Sequence, residues 1–115
     1  MLMEERPFAA VTSSGVLSVS GSVDEYAVIA LRNTLREQTQ DYTTSLTIDL
    51  TDADYLPSVA VSVLVAAMRA CEQNGARLSL VAAGGTIAQR VLMVCALPYT
   101  ETIEDREDPE NPVVA

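Results

Sequence analysis

Residues 49–75 constrain the fold more than any other part of this chain. The chain enters them in a strand pattern, because residues 44–50 alternate apolar and polar side chains. An acidic loop is expected next, and Pro57 and Ser58 then open a long apolar run that closes at Gly75. The length of that run, its alanines and its final glycine predict a helix over residues 58–74 rather than another strand.

The remaining segments also alternate between strand and helix patterns. The helix that ends near Thr39 carries an apolar stripe, and either Ser22 or Asp24 could cap its start. Ser13, Ser14 and Gly15 predict a turn that joins the first two strands into a hairpin, and Thr86 can cap the last helix. The predicted strands are residues 8–12, 16–20, 44–50 and 77–81, with an optional last one at 99–103, and the last helix runs to about residue 96.

This β-β-α-β-α-β-α order, with a possible final strand, predicts an α/β fold. Helices that connect successive strands imply a partly parallel sheet, and the hairpin adds an antiparallel edge. We therefore expect a mixed sheet of four to five strands, covered by helices, in one domain over residues 1–104. Residues 105–115 are acidic and contain prolines, which predicts a disordered tail.

Composition excludes several kinds of function. A formal charge of −9 argues against binding to nucleic acid or to an anionic membrane. The chain has no His and no Lys, so an imidazole base and a lysine Schiff base are absent, and we expect a protein that is not an enzyme and needs no cofactor. Cys71 and Cys95 have no metal or redox spacing and are interpreted as buried apolar residues in a cytoplasmic protein.

Ser58 is the first candidate functional residue. Its hydroxyl could cap the following helix, or it could accept a phosphate held by the free N–H groups of the first helical turn. Asp49, Asp52 and Asp54 could be interpreted as a metal site, but no further oxygen ligand completes a cage, and turn chemistry is the better explanation. We therefore predict no metal.

Several motifs together resemble the STAS domains of anti-sigma factor antagonists. Gly21-Ser22-Val23-Asp24 is similar to the Gly-Glu-Leu-Asp motif of that family. Residues 49–64 resemble its second signature, Asp-Leu-Ser-Gly-Val-x-Phe-Ile-Asp-Ser-Ser-Gly-Leu-Gly-Val-Leu, and residues 74–80 and 96–98 fit the later strand and the Gly-Leu ending. The resemblance covers the chain to about residue 104.

This resemblance implies a switch in gene regulation. Ser58 falls on the phosphorylated serine of the family, and Asp24 falls on the acidic residue that lies beside it. The implied partner is an anti-sigma factor that is also a serine kinase of the GHKL ATPase type, which releases the domain once it has phosphorylated it. A phosphatase resets the switch, and ATP belongs to the kinase.

This chain departs from the family pattern near the proposed switch. Pro57 replaces an Asp, Val59 and Ala60 replace a small residue and a Gly, and Ser62 replaces a Gly. Three hypotheses therefore remain open: a switch that is phosphorylated on Ser58 or, failing that, on Ser62; a STAS interaction or scaffold module that is never phosphorylated; and a small-ligand-binding α/β domain.

The apolar start of the second helix is the predicted surface for a protein partner. The residues expected to contact the partner are Tyr55, Val59, Val61 and Ser62. If the valines belonged to the core instead, changing them to aspartate would unfold the domain.

Overall fold

The computed structural model describes residues 6–103, which form a mixed α/β fold. The elements in chain order are β1 (Ala9–Ser13), β2 (Val16–Ser22), α1 (Glu25–Gln38), β3 (Leu46–Tyr55), α2 (Ser58–Gln73), β4 (Leu78–Val81) and α3 (Ile87–Val94). The strand order is β1-β2-β3-β4, with β1 antiparallel to β2 and the other neighbours parallel. The predicted fold class and the antiparallel edge are confirmed, whereas the predicted tail at 105–115 lies outside the described residues.

The hairpin and the end of the sheet follow the sequence pattern closely. Ser14 and Gly15 form the turn with φ values of 53° and 76°, which match the mirror-image turns that suit two-residue hairpins. At the other edge, Thr100 makes a single parallel bridge to Val81. The optional final strand is therefore reduced, within the described residues, to one bridge.

β3 is longer than predicted and corrects the expected acidic loop. The strand continues past Leu50 to Tyr55, with Asp52 beside Ser20 and Ala53 beside Gly21 of β2. Acidic residues are uncommon in strands, but pairing with β2 holds this segment extended. Ala53 and Leu56 are buried while Asp52 and Asp54 are exposed, so the segment has one face towards the core and one towards solvent.

Capping residues set the starts of α1 and α3. Asp24 caps α1, because its side chain accepts the N–H groups of Tyr26 and Ala27. Ser22, the alternative, is buried, and its hydroxyl has no hydrogen-bond partner among the described residues. Thr86 caps α3 as predicted, by accepting the N–H of Gln89.

The core lies between the helices and the sheet. α1 buries the predicted stripe, α1 packs on α2, and α3 packs on β3. α2 ends as predicted, since Asn74 is its C-cap and Gly75 has a φ of 76°. Cys71 is buried, and burial raises the pKa of its thiol. Cys95, the C-cap residue of α3, is exposed, so its predicted burial was wrong.

The turn after α1 adopts an unusual backbone conformation. Gln40, Asp41 and Tyr42 are consecutive left-handed residues, with φ values of 50°, 57° and 66°. None of them is glycine, although the left-handed region is unfavourable for residues that carry a Cβ. The buried Thr39 hydroxyl holds the turn, since it donates to the Leu35 carbonyl at 2.6 Å and accepts the Tyr42 N–H at 2.9 Å.

No helix in residues 6–103 has the length and apolar character needed to cross a membrane.

Candidate functional site

The starts of α1 and α2 lie at the same edge of the sheet. β2 and β3 are parallel neighbours, so their carboxyl ends meet, and Ser22 pairs with Tyr55 at that point. The Val23 N–H then donates to the Tyr55 carbonyl at 3.0 Å. Because α1 starts just after β2 and α2 just after β3, this pairing places the capping residue Asp24 and the first helical residue Ser58 at one edge.

Ser58 is exposed and does not cap α2. Pro57 occupies the cap position and provides no side-chain hydrogen bond, while its carbonyl accepts the N–H groups of Ala60 and Val61 at 2.9 and 3.1 Å. The Ser58 hydroxyl has no hydrogen-bond partner among the described residues. The capping interpretation of Ser58 was therefore wrong.

Ser62 is also exposed, but its hydroxyl already makes a hydrogen bond within α2. It lies one turn further along α2 and donates to the Ser58 carbonyl at 3.0 Å. This bond turns the oxygen back along the helix. Of the two serines proposed as phosphoacceptors, Ser58 therefore has the more available hydroxyl.

Asp24 is half-buried, and its carboxylate is committed to its own helix. One oxygen, Oδ1, accepts the Tyr26 N–H at 3.1 Å and the Ala27 N–H at 2.8 Å. A carboxylate at this position also interacts favourably with the α1 dipole. Asp24 thus fixes the start of α1 at the shared edge and adds negative charge there.

The residues predicted to contact a partner differ in exposure. Tyr55 and Val59 are 52% and 49% exposed, so both side chains are accessible at this edge. Val61 is only 8% exposed, because this position of α2 faces the core, and its place on a partner surface is corrected. Tyr26, in the first turn of α1, is 77% exposed and was missed, although its position outside the apolar stripe could have indicated it.

An N-terminal segment beside this edge was also missed. We call residues 6–8 the strap. The Arg6 guanidinium binds the Asp54 carboxylate through two hydrogen bonds of 2.7 and 2.9 Å, and it also donates to the Asp52 carbonyl at 2.7 Å. The hydrogen bonding of the Arg6 guanidinium to the Asp54 carboxylate is the main reason why the pKa of Asp54 lies below its ordinary value. No local sequence signal predicts a pair 48 residues apart.

The strap crosses the end of β2. The Arg6 carbonyl accepts the Ser22 N–H at 3.0 Å. Pro7 approaches Gly21 so closely that a Cβ at Gly21 would lie 2.1 Å from the Pro7 oxygen. Gly21 is therefore required both for this approach and for its φ of 79°.

The three aspartates once considered for a metal have other partners or orientations. Asp54 binds Arg6, and Asp49 accepts the Thr51 N–H at 3.0 Å. Asp52 lies exposed on β3.

The family of this chain is identified by a match over most of its length. The family model for the Mlab STAS domain matches residues 8–95. The chain therefore belongs to the STAS domain family, as its motifs indicated. A comparison with curated proteins found no match.

Solved structures support the same fold. An anti-sigma factor antagonist from Mycobacterium paratuberculosis is 24% identical, with a TM-score of 0.65 over 86% of this chain and 88% of that one. The antagonist SpoIIAA in its unphosphorylated form is 20% identical, with a TM-score of 0.65 over 86% and 91% of the two chains.

SpoIIAA, a Bacillus cell fate determinant, is similar in its phosphorylated form as well. That structure is 19% identical, with a TM-score of 0.60 over 86% of this chain and 95% of the other. At these identities the likeness establishes the fold, and the chemistry of Ser58 has to be argued from the chain itself.

Proposed function

We propose that this chain is a cytoplasmic, non-enzymatic regulatory protein that binds an anti-sigma factor/serine kinase of the GHKL ATPase type. In this proposal the kinase phosphorylates Ser58 and is then released, and a phosphatase restores the binding form. Binding would free a sigma factor, so the chain would act in transcription regulation.

The exposed, uncapped Ser58 hydroxyl is the observation that carries the proposal. It lies at the first position of α2, and the exposed side chains of Tyr55 and Val59 precede and follow it in the chain. A phosphate there would meet unbonded N–H groups and the positive end of the helix dipole, so α2 would tolerate it well. It would also add nearly two negative charges beside an apolar surface, which would disfavour a partner bound to that surface.

The acidity of this edge strengthens the expected switch. Asp24, Asp52 and Glu25 lie at or near the ends of β2 and β3. A partner that binds here has to tolerate negative charge, and one further phosphate would raise the local charge sharply.

The direct test incubates the purified chain with a candidate GHKL kinase and ATP and measures its intact mass. The proposal expects one added phosphate in the wild type and none in Ser58→Ala. Ser62→Ala is the matched control, because it removes a second exposed serine from the same helix, and it should be phosphorylated normally. Phosphate that remains in Ser58→Ala but is lost in Ser62→Ala would reject Ser58 as the acceptor.

Binding measured by calorimetry tests the consequence of phosphorylation. Ser58→Ala should bind the kinase as tightly as the wild type and resist release by ATP. Ser58→Asp should bind at least about tenfold more weakly, which corresponds to a loss of about 1.4 kcal/mol. Equal affinities of wild type and Ser58→Asp would contradict the switch.

A second candidate function is a STAS interaction or scaffold module that binds without phosphorylation. It is supported by Val59, which follows Ser58 in the first turn of α2 and whose exposed side chain adds bulk where a kinase would have to approach. Val59→Asp would then weaken binding while Ser58→Asp leaves it unchanged, and no phosphate would be gained.

A small-ligand-binding domain receives less support. An open cavity of about 350 Å³ is lined by residues at the far end of α1 and in the turn that follows, namely Asn33, Arg36, Glu37, Gln40 and Asp41. That end of α1 is opposite Asp24, whereas α/β domains usually bind ligands at the carboxyl edge of their strands. The Arg36 guanidinium in this cavity forms an ion pair with the Asp41 carboxylate, with an N···O distance of 3.3 Å.

A further inference from the structure

The outer edge of β1 is an open strand edge among the described residues. β1 occupies the end of the sheet order and pairs only with β2 within residues 6–103. Such an edge presents unpaired N–H and C=O groups that favour another extended strand. Its occupant can be inferred from the direction of those groups and from the charge around them.

The hairpin geometry identifies the free backbone groups. Ser13 pairs with Val16 across a two-residue turn, so these residues exchange hydrogen bonds, and the bonded pairs then alternate along the strand. The Thr47 N–H bonds the Gly15 carbonyl at 3.2 Å, which confirms that odd-numbered residues of β2 face β3 and even-numbered ones face β1. The backbone groups of Ala10 and Thr12 therefore point away from the sheet.

These outward groups are self-complementary. If two copies of β1 run antiparallel about a two-fold axis at Val11, Ala10 of each copy lies opposite Thr12 of the other. Each such pair exchanges two N–H···O=C bonds, so four bonds form in all. The Val11 side chains, 65% exposed in the single chain, would then meet across the axis.

The β1 edge is a part of the surface where the charge of the chain does not oppose a second copy as the occupant. The chain carries a formal charge of −9, so two copies repel each other over most of their surface. Residues 7–23, however, contain no ionisable side chain at all. The β1 edge also lacks the lysines, prolines or bulges that usually protect open strand edges, since Ala9–Ser13 reads Ala-Ala-Val-Thr-Ser without a break in pairing.

We propose that two copies of this chain associate through antiparallel pairing of their β1 strands about Val11, which joins their sheets into one. The surface is separate from the α2 start that is proposed to bind a kinase. Because only five residues per strand take part, the association is weak and concentration-dependent. Higher ionic strength strengthens it by screening the net charge of the two copies.

Sedimentation equilibrium tests this over a wide concentration range at low and high salt. The expected weight-average mass rises from 12.3 kDa towards twice that value as concentration increases, and it rises earlier at high salt. Val11→Lys places two like charges at the axis and should raise the dissociation constant at least about tenfold. Val94→Lys is the matched control on α3, where the side chain is 80% exposed, and it should associate like the wild type.

A backbone variant isolates the hydrogen bonds. Thr12→Pro removes an N–H that points outwards and leaves the bonds from β1 to β2 in place, so circular dichroism should report a folded domain that no longer associates. Amide exchange of Ala10 and Thr12 should slow as the wild-type concentration rises. A wild type that stays at 12.3 kDa throughout overturns the proposal, as does association that persists in Thr12→Pro. Protection of both amides in dilute monomer also overturns it, because a segment of the same chain would then cover the edge.

Discussion

Replacing Gly21 with alanine should detach the strap from the sheet. An added Cβ would lie 2.1 Å from the Pro7 carbonyl oxygen, far inside van der Waals contact, and the obstacle is backbone rather than a side chain that could turn aside. Either the strap or the end of β2 has to move. The bond from the Ser22 N–H to the Arg6 carbonyl, 3.0 Å long, would break in both cases.

The expected loss of stability has two parts. Alanine at a positive φ costs about 1 kcal/mol, and a buried N–H left without its acceptor costs about 1–3 kcal/mol more. Gly21→Ala should therefore lower the free energy of unfolding by about 2–4 kcal/mol. Gly15→Ala is the matched control, because Gly15 has a similar φ of 76° and nothing lies within 4 Å of its Cβ position. It should lose only the first part.

Urea unfolding followed by circular dichroism measures both losses, and amide exchange locates them. The Ser22 N–H should lose protection in Gly21→Ala and keep it in Gly15→Ala. If both variants were destabilised by the same amount within about 0.5 kcal/mol, the strap would not be packed over Gly21, and the reasoning would fail.

Three further predictions concern the core and the thiols. Val61→Asp should unfold the domain because it buries a charge, whereas Val59→Asp should leave it folded, as circular dichroism would show; two folded variants would contradict the burial of Val61. Thr39→Val should cost about 1–3 kcal/mol in urea unfolding, because the N–H that its buried hydroxyl accepts loses its partner; an unchanged midpoint would refute that role. Iodoacetamide should alkylate exposed Cys95 in the folded protein, while Cys71, whose pKa is raised by burial, should react only on unfolding; fast labelling of Cys71 would contradict its position.

Local patterns predicted the elements, and long-range contacts explain what the patterns missed. The stripe of α1 and the cap at Thr86 are local features, and both are confirmed. The extension of β3 through Asp52 depends on pairing with Ser20, which no local propensity encodes. Arg6 was missed for the same reason, since its partner Asp54 is distant in the chain.

The position of Ser58 was predicted from the sequence, whereas its capping role and the exposure of Val61 were not. The motif order placed Ser58 at the start of α2, where the structure has it. Its cap role failed because Pro57 takes the cap position. Val61 was assigned to the surface because α2 is apolar on most sides, and sequence alone cannot show which apolar face meets the sheet.

The left-handed turn after α1 is strained, and relieving that strain by substitution offers a way to stabilise this domain. Gln40 has a φ of 50°, and it is exposed, so its side chain contributes little to packing. Glycine would remove the strain at that position and should raise the free energy of unfolding by up to about 1 kcal/mol, less the entropy it adds to the unfolded chain. Natural proteins keep such strain when their stability already suffices. A more robust variant for structural work could therefore begin with Gln40→Gly, far from the edge that carries Ser58.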